Sequence, residues 1–194
     1  EQGHQIIYLL PEISLTPQTV GRLTSRFPGK VALIHSRMKP SERFEQWWGI
    51  RDGDYPIVVG PRSALFAPLQ NLGLIIIDEE HEWTYKQEFS QPLYDARLVA
   101  LHLAQLTNSV IVRGSATPDV ESYYHALNEH SSSLLELPRR INALNKDGPT
   151  NGAEVKICDM REELRKGNRS IFSEALSASL INCIENNHQA ILFL

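Results

Sequence analysis

The sequence predicts an α/β protein with a parallel sheet and helices on both of its faces. Leu72 to Ile77 is an unbroken apolar run, which is typical of a strand buried on both faces. Short apolar stretches alternate with helical patterns along residues 1–138. Polar or small residues follow each apolar stretch, as they do at the ligand-binding edge of an open α/β sheet.

Composition supports this class and excludes others. The 194 residues are enough for one core and the start of a second unit. The apolar share of 42% and the charged share of 22% are ordinary for a soluble globular protein. No apolar stretch approaches the roughly 20 residues that cross a bilayer, so we expect no membrane segment. The net charge of -4 argues against a uniformly basic nucleic-acid binder but leaves room for a local phosphate-binding patch.

Cys158 and Cys183 are far apart in the sequence and form no C-x-x-C pair. This spacing predicts core thiols in a reducing compartment and provides no zinc framework. We therefore expect a cytoplasmic protein.

Four further strands are predicted from apolar stretches that end in a turn. They are Ile6 to Leu10, Val31 to Ile34, Ile57 to Val59 and Val110 to Val112.

The helices are predicted from caps and apolar spacing. Thr16 and Pro17 indicate an N-cap and a first helical position, with Val20, Leu23 and Phe27 on one buried face. A second helix opens at Ser41 to Arg43, and its Phe44, Trp47 and Trp48 are expected to pack rather than to stack on bases. A third contains Leu98, Leu101 and Leu106. Thr117 and Pro118 are expected to start a fourth, with inward-facing Val120, Tyr123, Tyr124 and Leu127.

The strand–helix alternation stops near Leu137. We predict a first lobe at 1–138, a linker at 139–153 and a truncated second unit at 154–194. The second unit is expected to hold a strand at Val155 to Cys158, a helix at Ser173 to Asn186 and a strand at Ala190 to Leu194. A buried strand at the terminus suggests a piece of a longer protein.

Acidic residues crowd the end of the central strand. Asp78, Glu79, Glu80 and Glu82 fall within five positions. Two unit charges about 6 Å apart cost about 3 kcal/mol at an effective dielectric near 20. This repulsion requires a cation, a protonated carboxyl or full solvation. The acids therefore indicate either a Mg²⁺ site facing phosphates or a solvated acidic turn.

Five strand ends carry short polar motifs: Leu10 to Gln18 (LPEISLTPQ), Leu33 to Ser36 (LIHS), Gly60 to Phe66 (GPRSALF), Ile77 to His81 (IDEEH) and Gly114 to Pro118 (GSATP). In order and spacing they closely resemble consecutive motifs of superfamily 2 helicases, in particular the bacterial primosomal helicases that restart replication. The resemblance implies a first RecA-like lobe of the P-loop NTPase type, incomplete because it lacks the phosphate loop, and the start of a second RecA-like lobe.

The same resemblance implies an ATP-driven 3′-to-5′ DNA helicase that uses Mg²⁺. Its partners would be single-stranded and forked DNA and other primosome and replication-restart proteins. Zinc would be bound only by a part of the full-length protein outside this sequence.

The resemblance also implies roles for individual residues. Asp78 would hold Mg²⁺ through water and Glu79 would orient or deprotonate the attacking water. Glu80 and His81 would communicate the nucleotide state, and Ser115 and Thr117 would couple hydrolysis to lobe movement. The residues expected along the DNA strand are Pro11, Glu12, Thr16, Gln18, His35, Ser36, Arg62 and Ser63, together with Tyr85, Lys86, Tyr94 and Arg97 from a loop that resembles the family's aromatic-rich loop. In that loop, Trp83 and Tyr94 could equally pack beneath it.

One expected motif does not occur. The sequence contains no G-x-x-x-x-G-K-[S/T], and Phe27 to Val31 is the nearest string. We therefore expect little ATP hydrolysis by this chain alone. Two other functions stay open: a non-catalytic nucleic-acid or partner-binding module, and a metal-dependent nuclease using the acids at 78–80.

Overall fold

The computed structural model describes residues 3–14, 16–89, 91–128, 132–138 and 155–193. The chain divides into two compact units, residues 1–135 and 136–194. The predicted linker at 139–153 lies outside the described residues.

The first unit contains the predicted parallel sheet. Its strands are β1 (Gln5–Leu9), β2 (Val31–Leu33), β3 (Ile57–Gly60), β4 (Leu72–Ile77), β5 (Lys86–Gln87), β6 (Tyr94–Asp95) and β7 (Val110–Arg113). Five of them form one sheet in the order β2-β3-β1-β4-β7, with all neighbours parallel. The short β5 and β6 pair antiparallel in the loop after β4. The α/β prediction with a parallel sheet is confirmed.

The helices of the first unit flank this sheet. They are α1 (Pro17–Arg26), α2 (Pro40–Asp52), α3 (Ala96–Thr107) and α4 (Val120–Asn128). Short 3-10 turns lie at Glu12–Ser14, Arg62–Phe66 and Trp83–Tyr85.

The core lies on one face of the sheet. Ile7 is in register with Val58 on β3 and with Ile75 on β4, and all three are fully buried. In a parallel sheet, residues in register point to the same face, so these side chains form one apolar layer. Ala100 of α3 and Ile50 of α2 complete the cluster. The polar ends of the strands therefore project from a rigid base.

The caps of α1 follow the sequence prediction, but its burial does not. Thr16 is the N-cap and accepts a hydrogen bond from the backbone N–H of Thr19 at 3.3 Å. Val20 and Leu23 are only half-buried and Phe27 is exposed. A surface helix keeps part of its apolar stripe in contact with water, which is common in folded proteins.

Two aromatic faces predicted to be inside are exposed. On α2 these are Phe44, Trp47 and Trp48, and on α4 they are Val120, Tyr123, Tyr124 and Leu127. Only Ile50 of α2 is buried, because it alone reaches the core under β1. Thr117 also does not cap α4. Asp119 precedes the helix, and its carboxylate accepts from the backbone N–H of Glu121 at 2.9 Å.

The second unit contains α5 (Met160–Arg165) and α6 (Glu174–Glu185). Ser173 caps α6 by accepting from the backbone N–H of Leu176, so the predicted helix is confirmed. The predicted strand at 155–158 does not form, and residues 190–193 of the second predicted strand are not in a strand either. Leu194, the last residue of that prediction, lies outside the described residues. A strand exists only through a hydrogen-bonded neighbour, and neither segment has one there.

Gly60→Ala, at the carboxyl end of β3, should destabilise the folded protein. A Cβ on Gly60 would lie 2.5 Å from the backbone carbonyl oxygen of Ile34, which cannot rotate away. We expect the free energy of unfolding to fall by about 1–3 kcal/mol, as for other overpacked sites. Gly21→Ala on α1 is the control, since nothing lies within 4 Å of its added Cβ. Urea unfolding measures both, and equal effects would contradict the clash.

Candidate functional site

Asp78 is held at the end of β4 by a neighbouring strand. The Tyr8 hydroxyl of β1 donates to Asp78 Oδ2 at 2.7 Å, and the backbone N–H of Glu79 donates to Oδ1 at 3.1 Å. Burial raises the pKa of Tyr8, and the hydrogen bond and charge of Asp78 raise it further. Tyr8 therefore stays protonated and orients the carboxylate. Tyr8 was not predicted as a site residue, because it lies within an apolar stretch in which every residue is expected to pack in the core.

Tyr85 fixes Asp78 from the other side. Its ring is 1% exposed, and its hydroxyl donates to the backbone carbonyls of Asp78 at 2.6 Å and Leu9 at 3.2 Å. Burial, followed by the charge of Asp78, raises its pKa. A side chain enclosed in this way cannot stack on a base. The predicted DNA contact of Tyr85 is corrected to an internal, positioning role.

His81 brings together the two turns that the sequence separates by 34 residues. Its Nδ1 lies 2.7 Å from Ser115 Oγ and 3.7 Å from Glu79 Oε2. Its Nε2 lies 3.4 Å from Thr117 Oγ1. Glu79 itself has a left-handed backbone with φ of 47°, which is uncommon for a residue with a side chain. Four of the six residues predicted at the nucleotide site therefore lie in one cluster: Glu79, His81, Ser115 and Thr117.

Glu80 connects β4 to α4. The side chain is buried, and its Oε1 accepts from the backbone N–H of Asp119 while Oε2 accepts from the Ser122 hydroxyl, both at 2.8 Å. The backbone N–H of Glu80 donates to the carbonyl of Gly114. These hydrogen bonds connect the acidic turn (residues 78–82) to the start of α4 and to the turn after β7.

Arg97 is engaged inside the protein. Its guanidinium donates to both oxygens of Asp95, at 3.0 and 2.7 Å, and to the backbone carbonyl of Glu80 at 3.2 Å. The hydrogen bond to Asp95 raises the pKa of Arg97. Burial acts to raise the pKa of Asp95, but the hydrogen bonds and charge of Arg97 outweigh it and lower that pKa. The predicted DNA contact of Arg97 is thus replaced by a bidentate ion pair that anchors α3.

This ion pair predicts a pH dependence of stability. Because the folded state lowers the pKa of Asp95, its contribution is present above the unfolded Asp pKa of about 3.9 and is lost as the pH falls through the folded pKa. We expect the stability difference between wild type and Asp95→Asn to narrow over that range. Urea unfolding at several pH values measures it, and a constant difference would contradict the assignment.

The residues present fit Mg²⁺ held through water. Within the described ranges, no three or more His, Cys, Asp or Glu side chains form a group that could hold a metal ion. Mg²⁺ commonly keeps several waters and binds through one or two carboxylates and phosphate oxygens. Asp78 is partly exposed at the carboxyl edge of the sheet, so a single oriented carboxylate matches this mode of binding.

A cleft of about 570 Å³ opens beside the acidic turn, at the ends of β1, β2 and β3. Nine of the twelve predicted DNA-contacting residues line it: Pro11, Glu12, His35, Ser36, Arg62, Ser63, Tyr85, Lys86 and Tyr94. Thr16, Gln18 and Arg97 do not line it. Glu12 accepts a hydrogen bond from the Ser36 hydroxyl, which joins the ends of β1 and β2. The structure therefore brings most of the predicted strand-binding set to one place.

Arg62 holds the cleft together by hydrogen bonds to the loop after β4. Its guanidinium donates to the backbone carbonyls of Thr84 at 2.8 Å and Lys86 at 3.4 Å. Arg62 thereby holds the loop after β4 against the end of β3.

The aromatic residues of that loop divide into two groups. Tyr94 is half-buried and packs edge-on against Phe66, with ring centroids 5.5 Å apart. Burial raises the pKa of Tyr94, against an opposing effect of Arg62. Trp83 is 63% exposed and lines the cleft. Of the two alternatives for the loop, Tyr94 matches packing and Trp83 remains available for stacking.

Trp47 of α2, which the prediction assigned to packing, lines the cleft. Arg43 and Gln46 of the same helix, for which no packing role was predicted, line it as well. The i, i+3, i+4 spacing of these three residues was the available signal, but spacing alone does not distinguish a core face from a binding face.

The fold and site define a helicase motor lobe. The model of the DEAD/DEAH box helicase family matches residues 1–125, which contain the entire five-stranded sheet, the acidic turn and the cleft. The chain belongs to this family. Its parallel sheet flanked by helices agrees with the RecA-like lobe of such proteins.

Individual relatives of known name specify which members of the family this chain is similar to. The chain is 47% identical over 193 residues to the Replication restart protein PriA of Bacillus subtilis, covering 100% of this chain and 23% of that protein. It is 43% identical over 197 residues to the protein of the same name from Synechocystis, covering 100% of this chain and 23% of that protein. It is 38% identical over 192 residues to the protein of that name from Chlamydia trachomatis, covering 98% of this chain and 25% of that protein. The chain thus spans about a quarter of the length of these relatives. No helix among the described residues is long and apolar enough to cross a bilayer.

Proposed function

We propose that this chain supplies the first motor lobe of an ATP-dependent 3′-to-5′ DNA helicase. The observation that carries the proposal is the cluster in which His81 joins Glu79 of the acidic turn to Ser115 of the next turn, at the same carboxyl edge of the sheet as the cleft. The cluster that would respond to the nucleotide and the cleft that would bind the DNA strand then lie at the same edge of the sheet.

The chemistry follows from positioning. Phosphoryl transfer needs an oriented water and neutralised phosphate charge and little covalent chemistry from the protein. Glu79, whose side chain is 45% exposed, orients or deprotonates the water. Asp78, held by Tyr8, would hold Mg²⁺ through the water molecules around the metal. Bound Mg²⁺ supplies the positive charge that offsets the negative charge on the phosphates.

Hydrogen bonds couple the acidic turn to the turn after β7 and to the start of α4. His81 contacts Ser115 and Thr117, and Glu80 holds the start of α4. A shift of the acidic turn on loss of a phosphate therefore moves the turn after β7.

The single DNA strand binds in the cleft. Small polar side chains and Arg62, His35 and Ser63 meet phosphates there without reading sequence. The relatives are named replication restart proteins, and we extend that role to this protein. Its partners are single-stranded and forked DNA and other primosome and replication-restart proteins, in the cytoplasm.

One observation favours a second function for the 194 residues by themselves. The sequence contains no G-x-x-x-x-G-K-[S/T] to cradle the β- and γ-phosphates. The chain alone would then act as a non-catalytic nucleic-acid or partner-binding module with a RecA-like fold.

ATP turnover tests the proposal. The complete protein that carries this chain should hydrolyse ATP in Mg²⁺, faster with single-stranded DNA, and should displace a strand from a duplex in the 3′-to-5′ direction. Absence of turnover with and without DNA would reject the motor and support the module.

A further inference from the structure

We propose that α2 forms a wall of the cleft on which single-stranded nucleic acid binds, with bases stacked on Trp47 and a phosphate contacted by Arg43. This inference rests on the proposed function and extends it to a helix face outside the recognised motifs.

The ring of Trp47 is available for stacking. It is 44% exposed and lines the cleft. Its neighbour Trp48 is 39% exposed but is already covered, because Arg51 lies 4.6 Å from its ring centroid and Phe44 lies 5.9 Å away. Within the described part of the chain, Trp47 has no such ring contact. Two adjacent tryptophans thus differ in the property that base stacking requires.

The wall is rigid. Gln46 Oε1 accepts a hydrogen bond from the backbone N–H of Leu33 at 3.2 Å, which ties α2 to the end of β2. Ile50, one turn along, is fully buried in the core. Trp47 is therefore presented on a fixed element, so little ordering is required when a base stacks.

Charge favours a polyanion as the occupant. Among the described residues, Arg43 has no carboxylate partner, whereas Lys86 on the opposite wall is paired with Glu88 at 3.0 Å. Glu12 is the one acid among the described residues that line the cleft, whereas Arg43, Arg62 and Lys86 supply three cations. Exposed Trp83 and Phe89 of the loop also line the cleft, so aromatic rings occur on both of its walls. Aromatic rings combined with cations are typical of sequence-independent single-strand binding.

Affinity for a fluorescent oligo-dT, measured by anisotropy with the 194-residue chain, tests the stacking. We expect Trp47→Leu to weaken binding by about 5- to 100-fold, the range for loss of one base–aromatic stack. Trp47→Phe keeps a ring and should bind nearly as wild type. Trp48→Leu is the matched control and should have no effect.

Salt dependence tests the phosphate contact. The logarithm of the binding constant falls with the logarithm of salt concentration by about 0.7 for each phosphate neutralised on a single strand. Arg43→Gln should reduce this slope by about that amount, and Arg51→Gln should leave it unchanged.

Fluorescence provides a third measurement that does not depend on a loss of function. The chain has three tryptophans, so replacing Trp48 and Trp83 with Phe leaves Trp47 as the reporter. Quenching of Trp47 emission by oligo-dT supports stacking.

The outcomes separate the two proposals. If wild type binds oligo-dT and the Trp47 and Arg43 variants bind equally well, the α2 wall is wrong while the motor proposal stands. If the wild-type chain does not bind oligo-dT, the α2 wall is also wrong, and ATP turnover by the complete protein still decides the motor. If binding of oligo-dT depends on Trp47 but Arg43→Gln leaves its salt dependence unchanged, the phosphate contact assigned to Arg43 is wrong.

Discussion

Glu79→Gln in the complete protein should lower DNA-stimulated ATP turnover by about 10²- to 10⁴-fold, the usual cost of removing a general base. Glutamine matches the shape of Glu79 but cannot accept the proton of the attacking water. Glu79 is not needed for the cleft, because it is absent from the cleft lining. Single-strand affinity should therefore stay close to that of wild type. Steady-state turnover with and without oligo-dT measures the first effect, and anisotropy measures the second.

Glu82→Gln is the matched control for this change. Glu82 lies in the same acidic segment, and its backbone N–H donates to the carbonyl of Glu79. Among the described residues, the carboxylate paired with His81 is that of Glu79 and not that of Glu82. It should retain most of the turnover. Equal losses in both variants would assign the effect to the net charge of the turn, and unchanged turnover in Glu79→Gln would remove Glu79 from its role.

Tyr85→Ala should cause the largest loss of stability, with the free energy of unfolding falling by about 3–5 kcal/mol, as for other large-to-small core substitutions. The ring of Tyr85 is 1% exposed and packs in the same cluster as Leu9 and Ile77. Removing it leaves a cavity between β1, β4 and the loop. Urea unfolding of the 194-residue chain measures the change.

Tyr85→Phe isolates the hydroxyl. The carbonyl of Leu9 keeps its hydrogen bond from the backbone N–H of Asp78, but the carbonyl of Asp78 loses the donor at 2.6 Å. An unsatisfied buried acceptor costs about 1–3 kcal/mol. Tyr124→Phe on the exposed face of α4 is the control and should change stability little. If the two Phe variants are equally stable, the hydroxyl of Tyr85 does not hold Asp78.

Much of the fold could be predicted because its signals are local. The apolar run at 72–77 predicts a buried strand wherever it is placed, since exposing six such residues is unfavourable. Thr16 and Ser173 predict helix starts because a cap bonds to a backbone N–H only a few positions away. The predictions of a strand at 155–158 and over the described residues 190–193 were wrong for the opposite reason, since a strand needs a partner and no local signal reports one.

The candidate site could be predicted in part. The family resemblance assigned Glu79, His81, Ser115 and Thr117 to the nucleotide site, and the structure brings these four side chains into one cluster. Tyr8, however, lies 70 positions from Asp78 in an apolar strand, and only the pairing of β1 with β4 brings the two together.

Burial separates what the sequence determined from what the tertiary structure decided. By itself, the sequence determined the strands and helices of the first lobe and the polar residues at the strand ends, because periodicity and caps act over a few residues. Only the tertiary structure decided that Tyr85 is enclosed, that Arg97 is paired with Asp95 and that Trp47 is open to the cleft. Whether a side chain meets protein or water depends on neighbours far away in the chain, and those neighbours meet only when the sheet has formed.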